Sequence, residues 1–108
     1  MRKMLAALVF LAGSAIAAEP EYVITIRDHL FHPAELKIPA GTKVRIVIDN
    51  KDSTPEEFDS HSLNREKHVP ANAKETIFIG PLTPGRYEFE GENRGVPPVA
   101  AKGVIVVR

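Results

Sequence analysis

The stretch from Glu56 to Val69 is the part of the chain best equipped for chemistry, because most of its residues are polar or ionisable. Within thirteen positions it holds four carboxylates and two imidazoles: Glu56, Glu57, Asp59, Glu66, His61 and His68. Divalent first-row metals accept both carboxylate oxygens and imidazole nitrogens as ligands. The composition therefore indicates a metal site, and a solvated polar loop is the competing interpretation.

The spacing inside this stretch selects a smaller set of ligands. If residues 57–61 are extended, Glu57, Asp59 and His61 project to one face, since successive side chains of a strand alternate. Two carboxylates and one imidazole then converge, a set that suits Fe(II), Cu(II), Mn(II) or Zn(II). We predict these three residues as metal ligands. The same pattern is also typical of an edge strand kept soluble by its charges.

Residue types that are absent narrow the chemistry further. The chain has no cysteine, which excludes disulfides, thiolate catalysis and thiolate-bound metals. A blue-copper centre requires a cysteine thiolate and is therefore not expected. Ser60 and Ser62 flank His61, but neighbours on a strand point to opposite faces, so neither serine is placed for activation as a nucleophile. We expect a protein that is not an enzyme.

The N-terminal segment predicts export. Arg2 and Lys3 precede an uncharged run that ends in Ala15-Ile16-Ala17, the small-x-small pattern of a signal-peptidase site. The run is shorter than the ~20 apolar residues of a transmembrane helix. We predict a signal peptide over residues 1–17 and one secreted or periplasmic domain over residues 18–108, without a transmembrane segment. The domain has twelve basic and fourteen acidic residues, which excludes the basic footprint of a nucleic-acid-binding protein.

Short apolar runs separated by turn signals predict an all-β sandwich. The predicted strands cover residues 22–27, 34–38, 43–49, 75–79, 86–90 and 103–107, and residues 50–72 form the longest region without an obvious apolar strand. No window of eleven or more residues after the signal shows a clean helical stripe. The predicted core is apolar: Leu30, Phe31, Leu36, Ile46, Ile48, Phe58, Ile77, Ile79, Tyr87, Phe89, Val104 and Val106.

Three segments in this order resemble the cupredoxin family: Ile38–Val44, Pro81–Phe89 and Lys102–Val106. The resemblance implies a Greek-key β-sandwich. It is closest to small periplasmic cupredoxin-like proteins of the EfeO type, which accompany bacterial iron or copper uptake systems. It implies a bound Fe or Cu ion, a role in metal uptake, and partners such as an inner-membrane iron permease and other periplasmic uptake components.

The resemblance also shows which chemistry has been lost. The copper-ligand positions of electron-transfer cupredoxins fall on non-ligand or altered residues: Glu56, Gly91, Arg94 and a site near Ala101. A type 1 copper centre is therefore not implied. Iron-associated relatives often keep a histidine where Arg94 stands. In that corner Glu92 is the implied fourth ligand, or else an ion-pair partner of Arg94 or Arg65, and Glu66 matches the family as a supporting carboxylate.

Two alternatives remain open at this stage. The first is a metal-free β-sandwich whose polar segment contacts a protein partner, and the second is an electron-transfer protein that borrows a ligand from another chain. The remaining histidines have weaker patterns. His68 is expected to be a surface imidazole, and His29 and His32 are spaced by three residues, which would allow chelation from a turn but is not specific.

Overall fold

The computed structural model describes residues 18–92 and 101–108, and within these ranges the chain forms nine β-strands. They are β1 (Glu21–Arg27), β2 (Leu30–His32), β3 (Glu35–Ile38), β4 (Val44–Asn50), β5 (Glu56–Ser60), β6 (Arg65–Val69), β7 (Lys74–Ile79), β8 (Gly85–Glu90) and β9 (Lys102–Val107). Over the same ranges no helix has the length and apolarity to cross a membrane. The predicted signal peptide and Arg94 lie outside the described residues.

The strands are arranged in two sheets that enclose one hydrophobic core. The first sheet has the order β2-β1-β4-β7 and the second has the order β3-β9-β8-β5-β6. β1 pairs with β4 and β3 pairs with β9 in parallel, and the other recorded pairs are antiparallel. Each sheet contributes alternate side chains to the core between them. The predicted all-β sandwich is confirmed.

The alternation that predicted the clearest strand is present in β4. Val44, Ile46 and Ile48 are fully buried, and the residues between them are partly exposed on the other face of the sheet. β4 lies in the middle of the first sheet, between β1 and β7. The apolar face of β4 therefore lines the core. The backbone of a central strand is hydrogen-bonded on both sides, so only its inward side chains still have to be shielded from water.

The second sheet differs from the prediction in two ways. β5 and β6 both lie within residues 50–72, the region without an obvious apolar strand, and Val69 is the one apolar residue of β6. Backbone pairing with β5, rather than hydrophobic alternation, makes this segment a strand. In β9, Ile105 and Val107 are the buried residues, whereas the predicted core residues Val104 and Val106 are only partly buried. A continuous apolar run contains no alternation that could set its register.

Leu30 was also wrongly placed in the core. Its side chain is 54% exposed, and the next residue, Phe31, takes the inward position on β2. β2 has three residues, so it can supply only one inward side chain.

Tyr87, another predicted core residue, is partly buried at the margin of the core. Its hydroxyl donates a hydrogen bond to the Thr83 carbonyl oxygen at 2.8 Å.

The β1–β2 turn is tied to the β4–β5 connection. Asp28 and His29 both have positive φ, 54° and 63°, as in the type I′ turn that suits two-residue hairpins. Their backbone N–H groups donate to the two carboxylate oxygens of Asp52, at 2.8 Å and 2.9 Å. Burial alone would raise the pKa of Asp52, but these donors hold it below its ordinary value.

Three phenylalanine rings fill the core beneath β5. Phe58 and Phe89 are stacked with their ring centroids 4.7 Å apart, and Phe31 meets Phe89 edge-on at 4.8 Å. All three rings are nearly or fully buried. Such pairs add about 0.5–1.5 kcal/mol each beyond the area they bury. The rings therefore fix which side chains of β5 face inward.

We expect Gly103→Ala to destabilise the fold by about 1–3 kcal/mol, the usual cost of overpacking a core. A Cβ at position 103 would collide with the Phe89 ring and lie 2.9 Å from the Ala34 carbonyl oxygen. The ring has little room to move, because it is stacked on Phe58. Urea denaturation measures the change in the free energy of unfolding.

Gly85→Ala is the matched control for this substitution. A Cβ at position 85 would meet the Tyr87 ring at 3.5 Å, an ordinary contact distance, so little change in stability is expected. Equal urea midpoints for Gly103→Ala and the unmodified protein would show that the Phe89 packing is looser than the structure indicates.

Candidate metal site

β5 separates buried from outward-facing side chains. Glu56, Phe58 and Ser60 are buried, and Glu57 and Asp59 alternate with them on the opposite, partly exposed face. Ser60 is used structurally, because its hydroxyl donates to the Glu88 carbonyl oxygen at 2.6 Å. The outer face of β5 therefore presents two carboxylates two residues apart, as alternation requires.

The neighbouring strands add more negative charge beside these carboxylates. Asp59 is directly opposite Glu66 on β6 and directly opposite Glu90 on β8. Three carboxylates thus form a row across three adjacent strands. Favourable cross-strand pairs contribute about 0.2–1 kcal/mol each to a sheet, whereas like charges directly opposite each other destabilise it. The repulsion within the row therefore lowers the stability of the folded state, and burial of the hydrophobic core must offset this loss.

Part of this charge is compensated within the described part of the chain. The Lys102 ammonium lies 3.2 Å from a Glu90 carboxylate oxygen. Neither Asp59 nor Glu66 forms an ion pair with a lysine or arginine among the described residues. An added cation would therefore be stabilised most at the β5–β6 side of the row.

At that side, Glu57, Glu66 and His68 form a compact group. One ligand atom from each lies within 4.8 Å of the others. His68 is opposite Glu57 in the β5–β6 register, and its Nε2 is 3.3 Å from a Glu57 carboxylate oxygen. Glu57 is partly buried, while Glu66 and His68 are exposed. Two carboxylates and one imidazole form a plausible ligand set for a divalent transition metal.

The pKa of the Glu57 carboxyl is shifted by its burial and by these neighbouring charges. Burial is the largest cause that raises the pKa of Glu57 above its ordinary value, and the nearby Glu66 and Asp59 carboxylates raise it further. His68 acts in the opposite direction but does not outweigh them. The folded state thus disfavours the ionised form of Glu57 and favours anything that neutralises it, a proton or a metal ion.

The structure brings together only part of the predicted ligand set. Glu57 and Glu66 are in the compact group, and Asp59 is beside them in the row. His61 lies in the turn after β5 and is exposed, and it lines an open groove of about 620 Å³ with Asp59 rather than joining Glu57. Glu92 is exposed two residues beyond β8, outside the compact groups found among the described residues.

His68 is the exposed imidazole that the sequence predicts, but its position beside Glu57 was not predicted. Its position opposite Glu57 depends on β6 being a strand, and β6 lacks the apolar alternation that marks one. The one available signal is the spacing of Glu66 and His68, two residues apart, which places both on the same face of an extended segment. That signal has meaning only once the pairing with β5 is known.

Of the positions that correspond to a type 1 copper centre, Glu56, Gly91 and Ala101 are described, and none of them supplies a ligand of that centre. Glu56 begins β5, is 4% exposed, and has its Oε2 atom 2.7 Å from His29 Nδ1. A Cβ on Gly91 would lie 3.6 Å from the Glu57 carbonyl oxygen and 3.5 Å from the Phe31 ring. With no cysteine in the chain, a type 1 centre has no thiolate.

The fold and these residues can now be compared with known proteins. Residues 2–107 match the family described as Cupredoxin-like domain. The chain belongs to this family. An uncharacterized protein, RP394, of Rickettsia prowazekii (strain Madrid E) is 47% identical over 72 residues, which are 67% of this chain and 58% of that protein. The matched segment thus spans less than two thirds of that relative.

Solved structures of cupredoxin type are similar in backbone rather than in sequence. The metal-binding domain of the Cu(I)-exporting P-type ATPase CopA of Streptococcus pneumoniae D39, with Cu(I), has a TM-score of 0.69 at 18% identity, covering 82% of this chain and 84% of that one. Auracyanin B has a TM-score of 0.70 at 14% identity, covering 86% and 93%. At such low identities the likeness shows the fold alone.

We expect Glu57→Gln to stabilise the metal-free protein at pH 7 by a few tenths to about 1 kcal/mol, the size of typical cross-strand side-chain interactions on a sheet. A carboxyl whose pKa is raised on folding costs stability while it is ionised, and this cost is absent at pH values below both the folded and unfolded pKa. The gain should therefore disappear in acid. Urea denaturation with EDTA at several pH values measures it.

Glu75→Gln provides the matched control. The Glu75 carboxylate lies 3.5 Å from the Lys67 ammonium, so its neutralisation removes an attraction instead of a repulsion. A small loss of stability, or none, is expected for this partly exposed pair. If Glu57→Gln also lowers the stability at pH 7, the charge crowding on the outer face does not carry a cost.

Proposed function

We propose that this domain binds a transition-metal ion, iron or copper, through Glu57, Glu66 and His68, with Asp59 as a flanking carboxylate. The observation that carries the proposal is the compact group of two carboxylates and one imidazole, on a face where Asp59 and Glu66 have no lysine or arginine partner among the described residues. Because its ligands are oxygen and imidazole nitrogen, the site suits Fe(II) or Cu(II) better than Cu(I), which prefers thiolate and thioether ligands.

The wider role that we propose is periplasmic metal uptake. The domain would bind the ion after export and present it to an inner-membrane iron permease or to other periplasmic uptake components, as in the EfeO-type proteins that the chain resembles. The signal-like residues 1–17 support the compartment, and the family supports a metal-handling role. This assignment rests on analogy between family members, since one fold hosts many functions.

The proposed role is binding and presentation rather than catalysis. The Ser60 hydroxyl next to His61 is 1% exposed and is occupied by hydrogen bonds with the Glu88 carbonyl oxygen and the Leu63 N–H. It is therefore not available as a nucleophile. His61 itself is exposed in a turn, where no carboxylate of the compact group orients its ring.

An outer face that contacts a basic protein partner without metal is the second candidate function. The row of Glu66, Asp59 and Glu90 favours it, because such a face complements a positively charged surface. The two functions differ in a simple observable. A metal site binds ions saturably in the isolated domain, whereas a protein-interaction face requires the partner.

Anaerobic isothermal titration of the EDTA-treated domain with Fe(II), Cu(II) and Zn(II) tests the metal site. We expect His68→Ala to weaken binding at this site at least tenfold, because the loss of a supporting group alone typically costs 10–100-fold in metal affinity. His61→Ala should leave it unchanged. His32→Ala, which removes an exposed imidazole on β2, is the control for non-specific binding to surface histidines.

The variants also separate the possible ligand sets. Weaker binding in His61→Ala but not in His68→Ala would move the site to the groove that Asp59 and His61 line. The absence of saturable binding of all three metals would overturn the metal site and leave the protein-interaction face as the better explanation.

A further inference from the structure

A second group of metal-ligating side chains lies at the end of the sandwich, apart from the outer face of β5. It consists of His29 from the β1–β2 turn, Asp52 from the β4–β5 connection and Glu56 at the start of β5, with one ligand atom of each within 4.8 Å of the others. His29 Nδ1 lies 2.7 Å from Glu56 Oε2 and 3.6 Å from Asp52 Oδ2. Both carboxylates thus approach the same imidazole nitrogen.

The two carboxylates are held in place by the fold. Asp52 accepts the backbone N–H groups of Asp28 and His29, and its own N–H donates to the Asn50 side chain at 2.9 Å. The Thr54 hydroxyl lies 3.0 Å from Glu56 Oε2 and donates to it. These contacts orient both carboxylates before any ion binds, which is how supporting groups raise the affinity of a metal site.

The burial of the group is graded from the core to the solvent. The side chain of Glu56 is 5% exposed, that of Asp52 is 13% exposed and that of His29 is 54% exposed. The carboxylates are thus held close to the core, while the imidazole reaches the surface. The open side of His29 leaves a path by which an ion can reach the carboxylates from solvent.

We propose that His29, Asp52 and Glu56 form a second binding site for a divalent cation such as Zn(II), Mn(II) or Fe(II). One imidazole and two carboxylates supply the ligands, and because none of these ligands is a sulfur atom, Cu(I) would be a poor occupant. Glu56 and Glu57 are consecutive on β5, so their side chains point to opposite sides of the strand. The second site is therefore distinct from the compact group of Glu57, Glu66 and His68, which we call the outer-face site. The chain then binds two ions.

His29→Gly is the sharpest test because it removes the imidazole and favours the turn. His29 has positive φ, and an Asp-Gly pair is preferred in a type I′ turn, so the hairpin should be retained. Zn(II), which has no redox chemistry, serves as the probe. After EDTA treatment, the unmodified chain should bind two Zn(II) ions saturably, and His29→Gly should bind one.

The control variants make failure of either site recognisable. His32→Ala should retain two ions, and His68→Ala should lose the outer-face ion while retaining the other. The combination His29→Gly with His68→Ala should retain neither. In the ¹⁵N spectrum of the imidazoles, His29 should shift when Zn(II) is added to His68→Ala, which assigns the remaining ion to the end of the sandwich.

An unchanged Zn(II) stoichiometry in His29→Gly, with no shift of the His29 imidazole at saturating Zn(II), would overturn the second site. His29 and Glu56 would then form only a structural ion pair. If the glycine variant does not fold, His29→Asn is the replacement, because asparagine also tolerates positive φ. Loss of one ion in His29→Gly but none in His68→Ala would support the second site and overturn the outer-face site.

Discussion

The burial of Phe58 is the constraint on which the other features of the second sheet depend. Its ring is fully buried, stacked on Phe89, and placed at the middle of a five-residue strand. Because side chains of a strand alternate, an inward Phe58 forces Glu57 and Asp59 outward. A slip of one residue would bury these two carboxylates and expose the aromatic ring. The burial of the apolar Phe58 ring thus determines that the charged side chains of Glu57 and Asp59 lie on the outer face of β5.

The same sheet supports an edge strand that has little hydrophobic reason to form. β6 is polar, and Arg65 helps to hold it. The Arg65 guanidinium donates to the Phe78 carbonyl oxygen, at 3.1 Å and 3.3 Å, and so links β6 to β7 in the other sheet. Its remaining donors bind the Leu63 and Asn64 carbonyl oxygens in the preceding turn. These hydrogen bonds keep Glu66 and His68 beside β5. The compact group of Glu57, Glu66 and His68 therefore depends on contacts between the two sheets.

The sequence was sufficient where a local pattern determines the outcome. The alternation in β4 and the outward direction of Glu57 and Asp59 both follow from the period of a strand and the need to bury apolar side chains. It was insufficient where tertiary pairing decides. β6 has no apolar alternation, β9 has an apolar run without a register, and His29 meets Glu56 across 27 positions of the chain. Such contacts depend on how the strands are ordered in the sheets, which no local period specifies.

The replacement of a single strand residue can change the chemistry of this fold without changing its backbone. Glu56 stands where the cupredoxin resemblance places a copper histidine, yet it begins β5 in the same sheet order that carries Phe58 inward. Gly91 is at the position of the copper thiolate, and a Cβ there would meet the Phe31 ring and the Glu57 carbonyl oxygen at ordinary contact distances. Because neighbouring residues of β5 face different surroundings, the end of the sandwich and its outer face can acquire or lose ligands independently. The cupredoxin framework thus fixes where ligands can be placed, and the residues at those few positions decide which ion, if any, is bound.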